Sequence, residues 1–384
     1  MDKLKKYILL LFLITLIPIV GNAKSIVKTI INEVKTQYAP DKRQVVYEID
    51  TKKTDGITTL WGKISDLSVY ETLLSRLDSA GVKYINKIEV LPNNKWAQVR
   101  ISVASLRQKK GHASEMATQA VMGTPLRILE KDGDWYRVQT PDGYISYVIS
   151  SSISLKSESE MSQWRKASRV IVTSFEQTKI YATANELSHR NIISDAVNGM
   201  ILRGDYISDS EFTMVLLPDG RKGFIKTSDI APIEQWATQP FSADLILDLA
   251  YSMLGTPYLW GGTSTKTLDC SGLAKVCYFA NGIILMRDAS QQAKTGLRIN
   301  ASDWSKCQPG DLLFFGNAQT GKVTHVAIYE KDGQYIHSSG RVKINSVDPQ
   351  SPNYLTTPFL HATRINGCIG DYGITSAAKH PWIF

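Results

Sequence analysis

Hydrophobic and polar positions change period several times along this chain. Gln44–Ile49 alternates, which predicts a strand. Asp66–Ala80 carries Leu67, Tyr70, Leu73, Leu74 and Leu77 at helical spacing, which predicts an amphipathic helix. Tyr84–Leu91 and Trp96–Ile101 return to the strand pattern. Together these predict a small α/β unit over residues 24–101, in which no residue set points to chemistry.

The next stretch reads differently. Val103–Arg107, Gly123–Leu129, Gly133–Val138 and Asp142–Val148 are short alternating runs broken by Gly, Asp and Pro, the pattern of a small β-barrel over 102–155. Met214–Ile225 mirrors Tyr136–Val148, with Pro218-Asp219-Gly220 in place of Pro141-Asp142-Gly143. A diverged second copy is therefore expected over 164–235, with the polar run Lys156–Gln163 as linker. From residue 241 a further domain extends to 384. It opens on a helix, Ala243–Leu254, whose apolar face holds Leu245, Ile246, Leu249 and Met253.

One cysteine in this last domain has the setting of a nucleophile. Cys270 lies between a turn-rich run, Trp260–Ser264, and an apolar helical run, Leu273–Phe279. Asp269 or Ser271 can cap that helix. A thiol at a helix N-terminus faces the positive end of the macrodipole, which favours thiolate. Two histidines follow in a predicted hairpin, His325 in Val323–Tyr329 and His337 in Gln334–Ser339. A two-residue Asp332-Gly333 turn would put them on opposite faces. A three-residue loop, Lys331-Asp332-Gly333, with Gly333 left-handed, puts both on one face and His337 opposite Ala327. That register is expected. It makes His325 the base for the Cys270 thiol, with His337 orienting its imidazole.

Composition adds bounds. The 384 residues suggest two to four domains. The net charge of +8 is dispersed, without the clustered patch or motif that nucleic-acid binding requires. Residues 1–23 read as a signal peptide: Lys3, Lys5 and Lys6, an apolar run Tyr7–Val20, and Gly21-Asn22-Ala23 before Lys24. The expected location is periplasmic or extracellular, with no stable membrane span after signal removal. The four cysteines, Cys270, Cys277, Cys307 and Cys368, all lie in the last domain. Cys270 has to stay a free thiol, and a Cys307–Cys368 bridge is open. No CxxC pair marks a zinc site.

Four ordered motifs carry a resemblance: Asp269-Cys270-Ser271-Gly272, Gly310–Phe315, Thr324–Tyr329 and Ile336-His337-Ser338. The sequence resembles the NlpC-type (NlpC/P60) family of bacterial cell-wall cysteine peptidases over roughly 241–384. The two preceding segments resemble bacterial SH3-like domains. The implied fold class is α+β: a papain-like catalytic domain preceded by two SH3-like β-barrels and the small N-terminal α/β domain. Two barrels, the run Tyr258…Trp260…Asp269 and the run Arg287–Gln292 resemble the γ-D-glutamyl-L-diamino acid endopeptidases of the dipeptidyl-peptidase VI type. The resemblance implies hydrolysis of the γ-D-glutamyl bond to diaminopimelate or lysine, in peptidoglycan stem peptides with a free N-terminal L-alanine, during cell-wall turnover. It implies no metal or cofactor, peptidoglycan peptides as partners, and a monomer.

A buried substrate ammonium needs a carboxylate. Asp269, beside the nucleophile, and Glu115, in the first barrel, are the candidates, and Asp269 serves equally as a helix cap. Tyr147 is the barrel tyrosine expected to add a hydroxyl. Tyr258 and Trp260 are placed as cleft walls, Ser271 and Ser290 as contacts to the substrate's carboxylate or backbone. The Cys270 N–H and the Tyr258 hydroxyl are the expected oxyanion donors. His361 is a rival for the third catalytic place. Amidase or acyl-transfer chemistry on a different amide, and a catalytically silent wall-binding role, stay open beside the peptidase reading.

Overall fold

The periodic segments become short strands and a few capped helices in a computed structural model that describes residues 23–384 apart from 56 and 186. The expected signal peptide, up to residue 22, lies outside the described residues. The chain divides into two compact units: residues up to Pro40 with Val46–Val90, and Asp41–Val45 with Leu91–Phe384.

The first unit holds α1 (Ala23–Tyr38), β1 (Tyr47–Thr54), β2 (Ile57–Ile64), α2 (Leu67–Ser79) and β3 (Tyr84–Val90). β1 pairs antiparallel with β2, and β2 pairs parallel with β3 across α2. Asp66 caps α2 by accepting from the Ser68 and Val69 N–H groups, so the expected helix start holds. Val27, Ile30, Ile31 and Val34 recur along one face of α1 and are buried, as are Leu60, Leu73 and Leu77. Leu67, expected on the apolar face, is exposed.

The second unit begins with a correction. Trp96–Ile101 was expected as the third strand of the first unit. Its strand, β4 (Trp96–Val99), instead pairs with β7 (Pro125–Asp132) and β10 (Ile153–Lys156), so the boundary lies near residue 90 rather than 101. With β5 (Val103–Arg107), β6 (Met116–Val121), β8 (Trp135–Gln139) and β9 (Ile145–Ile149) it forms one seven-stranded sheet, order β10-β4-β7-β8-β9-β5-β6. Polar residues 156–163 do not act as a plain linker. Ser157 and Glu160 make a reciprocal capping box that starts α3 (Glu158–Lys166).

The second sheet repeats the first, strand for strand. Its members are β11 (Arg169–Val172), β12 (Thr178–Tyr181), β13 (Ile192–Ala196), β14 (Ile201–Arg203), β15 (Phe212–Leu216), β16 (Lys222–Lys226) and β17 (Ile230–Pro232). Read from the β17 end, the order is β17-β11-β14-β15-β16-β12-β13, which is the first order with every strand advanced by seven. Even the turn before the third paired strand recurs. Gly123 donates to the Val99 carbonyl and Gly199 to the Val172 carbonyl, both at 2.9 Å and both at positive φ (84° and 87°). The strand that sequence reading placed in the wrong domain is thus the partner of Arg169–Val172 in the copy.

After α4 (Ile233–Thr238) come α5 (Ala243–Ser252), the short pair β18 (Thr263–Ser264) and β19 (Thr267–Leu268), α6 (Cys270–Ala280), β20 (Ile283–Leu285) and α7 (Ala289–Gln292). The remaining strands are β21 (Leu297–Asn300), β22 (Leu312–Gly316), β23 (Val323–Tyr329), β24 (Gln334–Ser339), β25 (Arg341–Ser346), β26 (Phe359–Arg364) and β27 (Ile374–Ser376). Six of them form an antiparallel sheet, β21-β26-β22-β23-β24-β25. α5 and α6 pack on it through Ile246, Leu249, Leu273, Ala274, Phe314 and Ile336, all nearly fully buried. All four cysteines are free, so the open Cys307–Cys368 bridge is not formed.

A Cβ built on Gly123 would sit 1.8 Å from the Ile201 carbonyl oxygen, and its φ is left-handed. Gly143 shares the left-handed φ, but its nearest neighbour would be 3.8 Å away. Gly123→Ala is therefore expected to destabilise the protein by more than about 2 kcal/mol, and Gly143→Ala by about 1 kcal/mol. Thermal unfolding of the two variants measures the contrast.

Candidate active site

Cys270 is the first residue of α6. Asp269, extended at the N-cap, accepts from the Gly272 N–H at 2.7 Å and from the Ser271 hydroxyl at 3.1 Å. The helix start is pressed against the turn before it. A Cβ on Gly272 would meet the Gly262 carbonyl oxygen at 1.9 Å, so only glycine fits two residues after Cys270. The turn itself is tied by Tyr258 N–H to Gly340 O and by Leu259 N–H to Leu268 O, both 3.0 Å. Ser338 Oγ adds a bond to Leu268 O at 3.1 Å.

The hairpin has the expected register. Ile328 pairs with Ile336 and Tyr329 with Tyr335, around the loop Lys331-Asp332-Gly333, where Asp332 and Gly333 both take positive φ (51° and 78°). His325 and His337 therefore share a face, with His325 Nε2 2.7 Å from His337 Nδ1. A fourth residue, not found by sequence reading, extends the line. His337 Nε2 lies 2.8 Å from Asn345 Oδ1, and Asn345 Nδ2 donates to the Asn353 carbonyl at 2.7 Å.

This chain fixes every proton. A carbonyl only accepts, so the Asn345 amide must turn its NH2 to Asn353 and its oxygen to His337. His337 therefore carries its proton on Nε2 and accepts at Nδ1. His325 must then donate from Nε2, which leaves its Nδ1 bare, the state a general base needs. The backbone N–H of Val326, next to His325, is near enough to favour the thiolate form of Cys270, against the effect of burial.

Burial favours the uncharged form of both partners. Burial, then the neighbouring charge of Asp269, pushes the Cys270 thiol up to about 11. Burial, then His337, brings His325 down to about 3, and burial brings His337 to about 4. The dipole at this end of α6 favours thiolate, while desolvation and the adjacent Asp269 carboxylate act against it and push the thiol up.

Asp269 has no capacity left for a substrate ammonium. Beyond its two helix bonds, it accepts from Gly261 N–H at 2.9 Å and from both terminal nitrogens of Arg287. Arg287 is 1% exposed. It also donates to Ser271 Oγ at 2.9 Å and, from Nε, to Thr118 Oγ1 of β6 at 2.9 Å. The pair clamps the helix that carries Cys270 to the first SH3-like sheet.

The other expected residues divide. Ser271 is buried in the Arg287 network, and Tyr258 is close enough for Cys270 and Asp269, after burial, to push its hydroxyl up. Trp260 is 59% exposed in the same turn, and Glu115 is exposed one residue before Met116, whose carbonyl faces Gly261. Tyr147 holds its ring under the Arg137 guanidinium. The tyrosine of the same run that meets Asp288 is Tyr144, whose hydroxyl donates to Asp288 Oδ2 at 3.1 Å. Ser290 Oγ lies beside the same carboxylate, within reach of the same donor, Arg43. His361 is no rival for the third place, since it bonds the Ala293 carbonyl and stacks on Phe314. Asp288 and Tyr144 lay inside runs already singled out, two residues from Ser290 and three from Tyr147. Asn345 carried only the signal of a polar residue on an alternating strand.

A buried thiol at a helix start, an imidazole whose second ring nitrogen is left bare and a third ring locking that imidazole are the parts of a cysteine hydrolase on an antiparallel sheet. The comparisons with known proteins agree. Residues 255–364 match the model of the NlpC/P60 family, and residues 106–153 match that of the bacterial dipeptidyl-peptidase SH3 domain. A Lysinibacillus sphaericus protein named dipeptidyl-peptidase 6 is 30% identical over 66% of this chain and 92% of its own. A Bacillus cereus γ-D-glutamyl-L-lysine dipeptidyl-peptidase is 30% identical over 64% of this chain and 74% of its own. A crystal structure of a Bacillus cereus NlpC/P60 family protein superposes with a TM-score of 0.61 at 24% identity, covering 70% of this chain and 99% of that one. The chain belongs to the NlpC/P60 family of cysteine peptidases, with a bacterial SH3 domain ahead of the peptidase domain.

Asn345 acts only through the two histidines. Asn345→Ala is expected to lower kcat about tenfold or more with KM nearly unchanged, because the wrong tautomer of His325 becomes accessible. Steady-state kinetics, with thermal unfolding to confirm folding, measures the split; unchanged kcat in a folded variant contradicts the proton assignment.

Proposed function

We propose that this protein is an exported endopeptidase. It would hydrolyse the γ-D-glutamyl bond to an L-diamino acid in peptidoglycan stem peptides that begin with a free L-alanine, as a step of cell-wall turnover. The names of two relatives, a γ-D-glutamyl-L-lysine dipeptidyl-peptidase and a dipeptidyl-peptidase 6, support the bond type. No helix among the described residues is long and apolar enough to cross a membrane.

The chemistry follows from the proton chain. Cys270 Sγ attacks the γ-carbonyl carbon as its proton passes to His325 Nδ1, so charge develops only during attack. The Cys270 N–H and the Tyr258 hydroxyl face the oxyanion. His325 then gives the proton to the departing amine of the diamino acid, and the C–N bond breaks. Water, deprotonated by the same Nδ1, cleaves the thioester, releases the dipeptide acid and restores the thiol.

The observation that carries the free-amine reading is Asp288. With Asp269 given to Arg287, Asp288 is the half-open carboxylate of the segment that locks the nucleophile, and Tyr144 of the first SH3-like domain meets it. An ammonium in a partly desolvated site needs such a partner. Asp288 therefore replaces Asp269 as its seat in our reading. Glu115, exposed on the same domain, remains a second contact, and Ser290 the group for the glutamyl carboxylate, since the Ser271 hydroxyl is spent on Asp269.

The test is cleavage of L-Ala-γ-D-Glu-diaminopimelate beside its N-acetylated form. The free peptide is expected to be cleaved about tenfold to a hundredfold more efficiently, the scale of one lost charged hydrogen bond. Equal cleavage removes the amine site and points to a hydrolase of intact wall.

A further inference from the structure

Asp41–Val45 packs with the second unit, although the chain on both sides of it belongs to the first. It lies outside both regions matched by family models. The segment is a single tight turn, with Gln44 N–H and Val45 N–H both on the Asp41 carbonyl at 3.0 and 3.1 Å. The first SH3-like domain holds its backbone: Ile145 N–H donates to Arg43 O at 2.6 Å and Gln139 Nε2 to Gln44 O at 2.8 Å. Its side chains meet the peptidase domain. Arg43 Nη1 donates to Asp288 Oδ2 at 2.8 Å and to Ser290 Oγ at 3.2 Å, and Gln291 Nε2 donates to Asp41 Oδ2 at 2.8 Å.

The charges within the turn are already matched. Arg43 Nε and Nη2 bond the two oxygens of Asp41 at 2.8 and 2.7 Å, a two-point pair. Asp41 thus neutralises Arg43, and the guanidinium can hold Asp288 without cancelling its charge. The Arg43 and Tyr144 donors converge on the same oxygen of Asp288, Oδ2, which fixes the direction of the carboxylate. Two carboxylates around one guanidinium leave a net charge of −1, matched to one incoming cation. An in-chain cation that merely plugged the seat would take Asp288 as its main counter-ion, whereas Arg43 makes its two-point contact with Asp41.

We infer that Asp41 and Arg43 are positioning residues that set specificity: they orient Asp288 while leaving it negative for the substrate's terminal ammonium. This rests on the reading of Asp288 given above. The consequence is that a turn outside the peptidase and SH3 domains is required for selection of free-amine peptides.

The experiment is steady-state kinetics of the full chain and of Arg43→Ala, Arg43→Lys and Asp41→Asn on the free and N-acetylated peptides. Arg43→Ala is expected to raise KM for the free peptide about tenfold, with kcat within about twofold and the acetylated peptide unaffected. Asp41→Asn is expected to act in the same direction, because the unshared guanidinium then cancels Asp288. Arg43→Lys is expected to recover only part of the loss, since an ammonium lacks the planar fork. If Arg43→Ala lowers KM for the free peptide, the residue is a plug and the inference fails. It also fails if both peptides change alike or neither changes while the parent protein still discriminates. If the parent cleaves both peptides alike, the amine-seat reading falls and this inference with it. Should Arg43→Ala not fold, Asp41→Asn and Arg43→Lys decide by the same comparison.

Discussion

The buried pair between Asp269 and Arg287 is the interaction on which the site depends. Asp269 starts the helix that carries Cys270, and Arg287 reaches from the segment after that helix to Ser271 and to Thr118 of the first SH3-like sheet. A buried ion pair adds little net stability when complete, but losing one partner costs about 3–5 kcal/mol, because the other charge is left unmatched in a dry interior. Three segments distant in sequence are thereby locked into one geometry. The same pair also removes Asp269 from substrate recognition and places Asp288, the next residue after Arg287, at the surface of the site.

That lock shapes the electrostatics of Cys270. A thiol at a helix N-terminus is commonly favoured as thiolate, yet here the capping carboxylate and burial act in the opposite direction. The two histidines are held neutral by the same burial. Burial therefore favours an uncharged thiol and uncharged imidazoles over a thiolate–imidazolium pair. What the site stores is direction: the amide of Asn345 orders two imidazoles so that the base has one bare nitrogen and one proton already committed. Reaction then depends on a substrate carbonyl arriving, which makes the seating of the peptide's far end as important as the thiol itself.

Much of this was legible in the sequence. The Cys270 helix, the hairpin register and the His325–His337 contact follow from local rules of capping and strand alternation. The repeat was visible only in its last hairpin, where Pro-Asp-Gly recurs; the full duplication emerges from strand order, to which residue identity contributes little. The failures share a cause. Trp96–Val99 has the same alternation whichever sheet it joins, so the pattern could not name its partner. Tyr147 and Tyr144 lie in the same run, and only the pairing of β9 decides which one faces Asp288. The thiol's protonation and the role of Asn345 depend on neighbours dozens of residues away, and local sequence cannot report desolvation.

The central claim is a neutral, tautomer-locked Cys270–His325–His337–Asn345 line, and ring-nitrogen NMR tests it most directly. In protein with 15N-labelled histidine, assigned through single histidine variants, both His325 and His337 are expected as neutral rings protonated at Nε2 at pH 7. Because burial lowers both, they should stay neutral as pH falls well below 6 and take up a proton only near pH 3 to 4. A His325 ring doubly protonated at pH 7, with a thiolate beside it, would contradict the account.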